Sequence, residues 1–147
     1  LKNIIAIGAG IIDGLKIGNN AKAAFLTRGL AEITRLGVAM GARPETFAGL
    51  SGLGDLVATC FSSLSRNRHA GERLALGVKL PEIQAAMEQT IEGVPTTRAA
   101  IELAGRYGVD MPITELTGKV LFDGLDPRQA MDLLMHRAPV AESTRSP

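Results

Sequence analysis

Apolar residues in this chain recur at the i, i+3, i+4 spacing of helices, and turn residues punctuate them at short intervals. In the longest such segment, 19–41, Leu26, Leu30, Ile33, Gly37 and Met40 form one stripe, widened by Phe25 and Leu36. Asn19 and Asn20 stand where a cap belongs, and Gly41 where the helix should stop. Arg28, Glu32 and Arg35 share the opposite side at pairing distances, which reads as a solvated face. Pro44 opens a short helix as a first-turn proline, and Asp55 begins a short apolar one. Further helices are expected over 67–76, ended by Gly77, and over 81–89. Another runs over 95–107 with Ala99, Ala100, Leu103 and Ala104 inward, followed by one over 113–122. Asp126-Pro127-Arg128-Gln129 combines an N-cap, a first-turn proline and a capping-box glutamine ahead of a last helix that fades near Arg137. No stretch alternates apolar and polar residues over the length of a strand. The expected fold is all-α, a multi-helix bundle of about eight helices.

The opening run offers a competing pattern. Ile4-Ile5-Ala6-Ile7-Gly8-Ala9-Gly10 resembles a strand entering a dinucleotide-binding turn, with Glu32 at a suitable distance beyond it. The third glycine, however, is Gly14, where the fingerprint requires one at Asp13. Glu32 also lies within a helical pattern and not at the end of a second strand. The segment is therefore read as a helix whose small residues permit close packing.

Composition narrows the picture. Hydrophobic residues make up 46% of the 147 residues but aromatics only 3%, so Leu, Ile, Val, Ala and Met must build the core. This length suits one domain that buries about two thirds of its unfolded surface. Residues 1–138 are assigned to it, and the small, polar segment 139–147 is read as a flexible tail. Lys and Arg number 16 against 15 for Asp and Glu, which lacks the basic excess of a nucleic-acid binder. Cys60 is the single cysteine and lies on an apolar helix, which argues for a buried, inert thiol in a cytoplasmic protein. It forms no metal site with the scattered His69 and His136. No apolar run reaches membrane-spanning length.

The chemistry concentrates in Ser51-Gly52-Leu53-Gly54-Asp55 through Thr59-Cys60, followed by Ser65-Arg66-Asn67-Arg68. Two glycines allow a tight turn and a close approach to a ligand, and Asp55 is positioned as a helix cap. An arginine fork at a helix start suits a phosphate, whereas Arg68 is expected to face solvent. From spacing alone this is an anion site beside a placed carboxylate, or else a capped turn with solvated arginines.

Leu1-Lys2-Asn3, Gly52-Leu53-Gly54-Asp55-Leu56, Thr59-Cys60, Ser65-Arg66-Asn67-Arg68 and Glu92-Gly93 together resemble the C-terminal half of bacterial NAD(P)-dependent glycerol-3-phosphate dehydrogenases, from residue 1 to about residue 137. The resemblance implies a fold like the C-terminal domain of 6-phosphogluconate dehydrogenase. It makes Lys2 the proton donor, oriented by Asp55. It implies substrate contacts from Lys2, Asp55, Thr59, Ser65, Arg66 and Asn67, and NAD(P)(H) contacts from Arg66, Thr90 and Glu92. It also implies an N-terminal Rossmann partner domain outside this chain, a homodimer, and a role in glycerophospholipid synthesis. The chain is expected to fold but not to turn over substrate alone. The alternatives are a helical domain of a related hydroxy-compound dehydrogenase and a non-catalytic helical interaction module.

Overall fold

The first apolar run is a helix, and the rest of the fold wraps it. The computed structural model describes residues 1–137, so the expected tail at 139–147 lies outside the described residues. Helix α1, Lys2–Gly14, buries Ile4, Ile5, Ala6, Ile7, Gly8, Ala9, Gly10, Ile11 and Ile12 in succession. A helix apolar on every side must be surrounded, and α1 packs against α2 (Asn19–Ala39), α4 (Asp55–Phe61), α5 (Arg66–Ala75), α7 (Gly93–Tyr107) and α8 (Pro112–Phe122). The remaining elements are α3 (Glu45–Ala48), a π-helical turn at Leu50–Gly54, α6 (Leu80–Ala86) and α9 (Pro127–His136). That makes nine α-helices among the described residues, against about eight expected, with no strand.

The glycines that imitate a dinucleotide fingerprint serve this packing. A Cβ at Gly10 would lie 1.9 Å from the Arg68 carbonyl oxygen, and one at Gly71 would lie 2.0 Å from the Ile7 oxygen. The two glycines thus bring the backbones of α1 and α5 together. Gly8 is filled against the Phe25 ring and Gly14 against Ala75 and Glu72, so none is left to cradle a phosphate.

Local signals set several boundaries as expected. Gly41 and Gly77 take positive φ just beyond α2 and α5, and the Asp126 carboxylate accepts from the Gln129 amide. Others differ. Gly18, at φ 110°, is the residue before α2, so Asn19 lies inside the helix and caps nothing. Pro44 precedes α3 instead of occupying its first turn, and α7 begins at Gly93, ahead of Pro95. Ala99 on α7 and Met40 beyond α2 are exposed and not inward. Helix α6 ends at Ala86, because Met87 turns extended, and this leaves Gln89 and Thr90 in a loop.

The largest correction concerns the charged side of α2. It is not a solvated face. Glu32 is 2% exposed, and its carboxylate accepts from the Ile113 amide and from the Thr114 amide and hydroxyl, the latter two at 3.2 Å. It therefore caps the start of α8, where Met111 offers no side-chain cap. Burial pushes the Glu32 carboxyl up to about 7, against the opposing pull of these three donors. Arg35 donates to the Asp110 carbonyl and Arg28 to the Leu134 carbonyl, each at 2.9 Å. The three charges close the ends of neighbouring helices.

Candidate functional site

At the N-terminal end of α1, an open cleft of about 430 Å³ is lined by Lys2, Asn3, Ala58, Thr59, Ser62, Leu64, Ser65, Arg66, Asn67 and Glu92. Four separate pieces of chain meet there: the start of α1, the α4 helix, the turn into α5, and the loop before α7. Lys2 Nζ lies 2.7 Å from Asp55 Oδ2, and about half of each side chain is exposed. Asp55 is the first residue of α4, after Gly54, and makes no capping bond to its own helix. Its carboxylate is turned to Lys2 instead. The expected cap role is not realised, but the Lys2 pairing is. Thr59, one turn on, donates its hydroxyl to the Asp55 carbonyl at 2.8 Å.

The glycines ahead of Asp55 act differently from the sequence expectation. Neither Gly52 nor Gly54 has positive φ, and a Cβ at Gly52 would lie 2.2 Å from the Phe47 carbonyl oxygen. Close packing of the chain on itself, not on a ligand, requires Gly52.

The turn into α5 supplies the cation. Ser65 caps α5 by accepting from the Arg68 amide at 3.2 Å, which fixes Arg66 at the first helical position. The Arg66 guanidinium donates to Gln89 Oε1 and to the Thr90 carbonyl at 3.3 Å, with Glu92 4.0 Å away. Thr90 therefore meets the site through its backbone and is absent from the cleft wall. Asn67 is 7% exposed, and its Oδ1 accepts from the Gly93 amide at 2.8 Å. Asn3 donates to Glu92 Oε2 at 3.3 Å. Two asparagines thus hold the loop that carries Glu92.

Sequence reasoning gave no role to Asn3, Ser62 or Gln89. Asn3 lay in a noted motif, whereas Gln89 was hidden by the expectation that α6 reached it. Arg68 does not face solvent: its guanidinium bonds Asp13 at 2.9 Å and Glu72 at 2.8 Å. Cys60 is fully buried, and burial pushes its thiol up to about 12, which leaves it inert as a nucleophile at neutral pH. A larger groove of about 710 Å³ between α7 and α8 gathers none of the predicted site residues. Chemistry, not size, marks the site.

An ammonium held by a carboxylate, beside an arginine fork on a helix start, suits a small phosphorylated compound with a carbonyl or hydroxyl near Lys2. Residues 1–132 match the family model described as NAD-dependent glycerol-3-phosphate dehydrogenase C-terminus. Glycerol-3-phosphate dehydrogenase [NAD(P)+] of Geobacillus thermodenitrificans is 58% identical over 97% of this chain, and that of Lactococcus lactis subsp. lactis is 57% identical over 97%. The chain spans only 41% and 42% of those relatives. The crystal structure of the Coxiella burnetii glycerol-3-phosphate dehydrogenase superposes with a TM-score of 0.90 at 47% identity, over 93% of this chain and 42% of that one. The Saccharomyces cerevisiae enzyme gives a TM-score of 0.81 at 29% identity, over 90% and 39%. A match this continuous in sequence and in helical fold means that the chain belongs to the NAD-dependent glycerol-3-phosphate dehydrogenase C-terminal family.

Proposed function

We propose that this chain is the substrate-gripping, proton-donating part of an NAD(P)-dependent glycerol-3-phosphate dehydrogenase, which interconverts sn-glycerol 3-phosphate and dihydroxyacetone phosphate. The observation that carries the reading is the meeting of Lys2, Ser65, Arg66 and Asn67 around one open cleft, with Asp55 bonded to Lys2. In ketone reduction the Lys2 ammonium hands a proton to the carbonyl oxygen as it becomes an alkoxide, and in the reverse direction the amine takes it back. Asp55 holds that nitrogen in place, and with Thr59 it offers partners for the substrate hydroxyl. Arg66 and the Ser65 hydroxyl receive the phosphate. The Asn67 oxygen is committed to Gly93, so its amide nitrogen is the end available to a ligand.

The nicotinamide cofactor, when bound, supplies or accepts the hydride. The residues of this chain that fit it are Arg66 and Glu92 at the rim, both with exposed side chains, while Thr90 steadies Arg66 through its carbonyl. The packed glycines of α1 leave no pyrophosphate cradle there, which supports an N-terminal Rossmann domain as the main holder of the dinucleotide. The reading extends to a cytoplasmic, homodimeric enzyme that feeds glycerophospholipid synthesis. The chain alone is without turnover.

Joining this chain to the N-terminal portion of the Geobacillus relative restores a testable enzyme. Lys2→Ala is expected to lower kcat by about a thousandfold, within the usual reach of a positioned acid. An unchanged rate would favour a non-catalytic helical module.

A further inference from the structure

Arg68 was expected at the surface, and the function proposed for the cleft leaves it unused. Its guanidinium nevertheless reaches three separate acceptors. Nε donates to Asp13 Oδ2 at 2.9 Å, NH2 lies 2.8 Å from Glu72 Oε1, and NH1 makes a long contact of 3.5 Å with the Ser62 carbonyl. Its backbone amide donates to the Ser65 hydroxyl oxygen, and its backbone carbonyl lies against Gly10 of α1. Asp13 is itself held at 2.7 Å by Lys22, whose side chain is 3% exposed and sits 3.8 Å from the centre of the Phe61 ring. The ends of α1 and α4 and the starts of α2 and α5 are thus tied at one point. Ser62 and Ser65, at either end of the turn that this point anchors, both line the cleft, and Arg66 follows directly.

We infer that Arg68 is a positioning residue, holding the Ser62–Arg66 turn in the shape that receives a phosphate while not touching the ligand itself. This rests on the reading of the cleft as a phosphate site. The physical basis is the planar fork: one guanidinium spans three acceptors on two helices and the turn, and an ammonium reaches fewer of them. A loosened turn costs affinity for the phosphate group specifically, since Lys2 and Asp55 stand on other elements.

The test is calorimetric titration of this chain with sn-glycerol 3-phosphate and, separately, with inorganic phosphate. Arg68→Ala is expected to weaken both about tenfold. Arg68→Lys keeps the charge and a link to Asp13, and is expected to remain about threefold weaker than wild type. Glu72→Gln, which leaves the Asp13 bond intact, serves where Arg68→Ala does not fold and is expected to weaken both ligands about twofold. Reversible loss of folded fraction by itself raises the apparent Kd to Kd/f, so each Kd is multiplied by the folded fraction f read from circular dichroism, and the corrected Kd separates positioning from stability. Full recovery of Kd in Arg68→Lys assigns the effect to charge at a distance and overturns the inference. Wild-type Kd in both Arg68 variants also overturns it, with the phosphate-site reading intact. A wild-type chain indifferent to both ligands removes that reading and the inference together.

Discussion

Both ends of α1 carry a lysine–aspartate pair at 2.7 Å, but their surroundings differ. Lys2–Asp55 is half exposed at the mouth of a cleft, where water screens the attraction and either partner is free to exchange for a ligand. Lys22–Asp13 lies between helices with the Lys22 side chain 3% and that of Asp13 22% exposed, with Arg68 as a third member and an aromatic ring by the ammonium. Equal geometry therefore produces opposite roles. In the proposed function the open pair serves binding and proton transfer, while the closed one ties together the helix ends on which the open one stands.

Breaking the closed pair has the largest expected effect on stability. Asp13→Ala leaves Lys22 buried opposite a lost charge and is expected to cost about 3–5 kcal/mol. Asp55→Ala at the open end is expected to cost less than about 1 kcal/mol. Urea denaturation of both variants measures the difference, and equal losses would erase the distinction between the two ends.

A second contrast sharpens the first. Glu32 is a buried carboxyl with no cation bonded to it, held by the N-terminal groups of α8. Its folded pKa, about 7, lies above the ordinary 4.5, so the folded state binds the extra proton between those values. This contribution to stability is fully present below about pH 4.5 and is lost as pH rises through about 7, a change on the order of 3 kcal/mol at most. Glu32→Gln shifts the overall stability but is expected to flatten that slope. Denaturation midpoints across the window check it, and a slope retained by the variant would assign the titration elsewhere.

These results also show what the sequence made legible. Helix spacing, the stops at Gly41 and Gly77 and the cap at Asp126 are local devices, readable from a few neighbouring residues. The α1 fingerprint misleads because glycine serves tight helix packing as well as tight turns, and only the facing backbone of α5 distinguishes the two. Helical periodicity alone puts Glu32 on a surface face, because its partners stand 81 and 82 positions away, beyond any periodicity. Arg68 and Asp13 are likewise 55 apart. The Lys2–Asp55 pairing, 53 apart, was anticipated only through resemblance to a family. Thr90 meets Arg66 through its carbonyl, a backbone contact that residue type does not specify.

The most direct test of the open end is to follow backbone amide resonances of this chain while titrating sn-glycerol 3-phosphate. The account predicts shifts at Lys2, Asp55, Arg66, Asn67 and Glu92, with Asp13 and Lys22 little moved. Shifts centred instead on the α7–α8 groove at residues 108–114, or none anywhere, would contradict it.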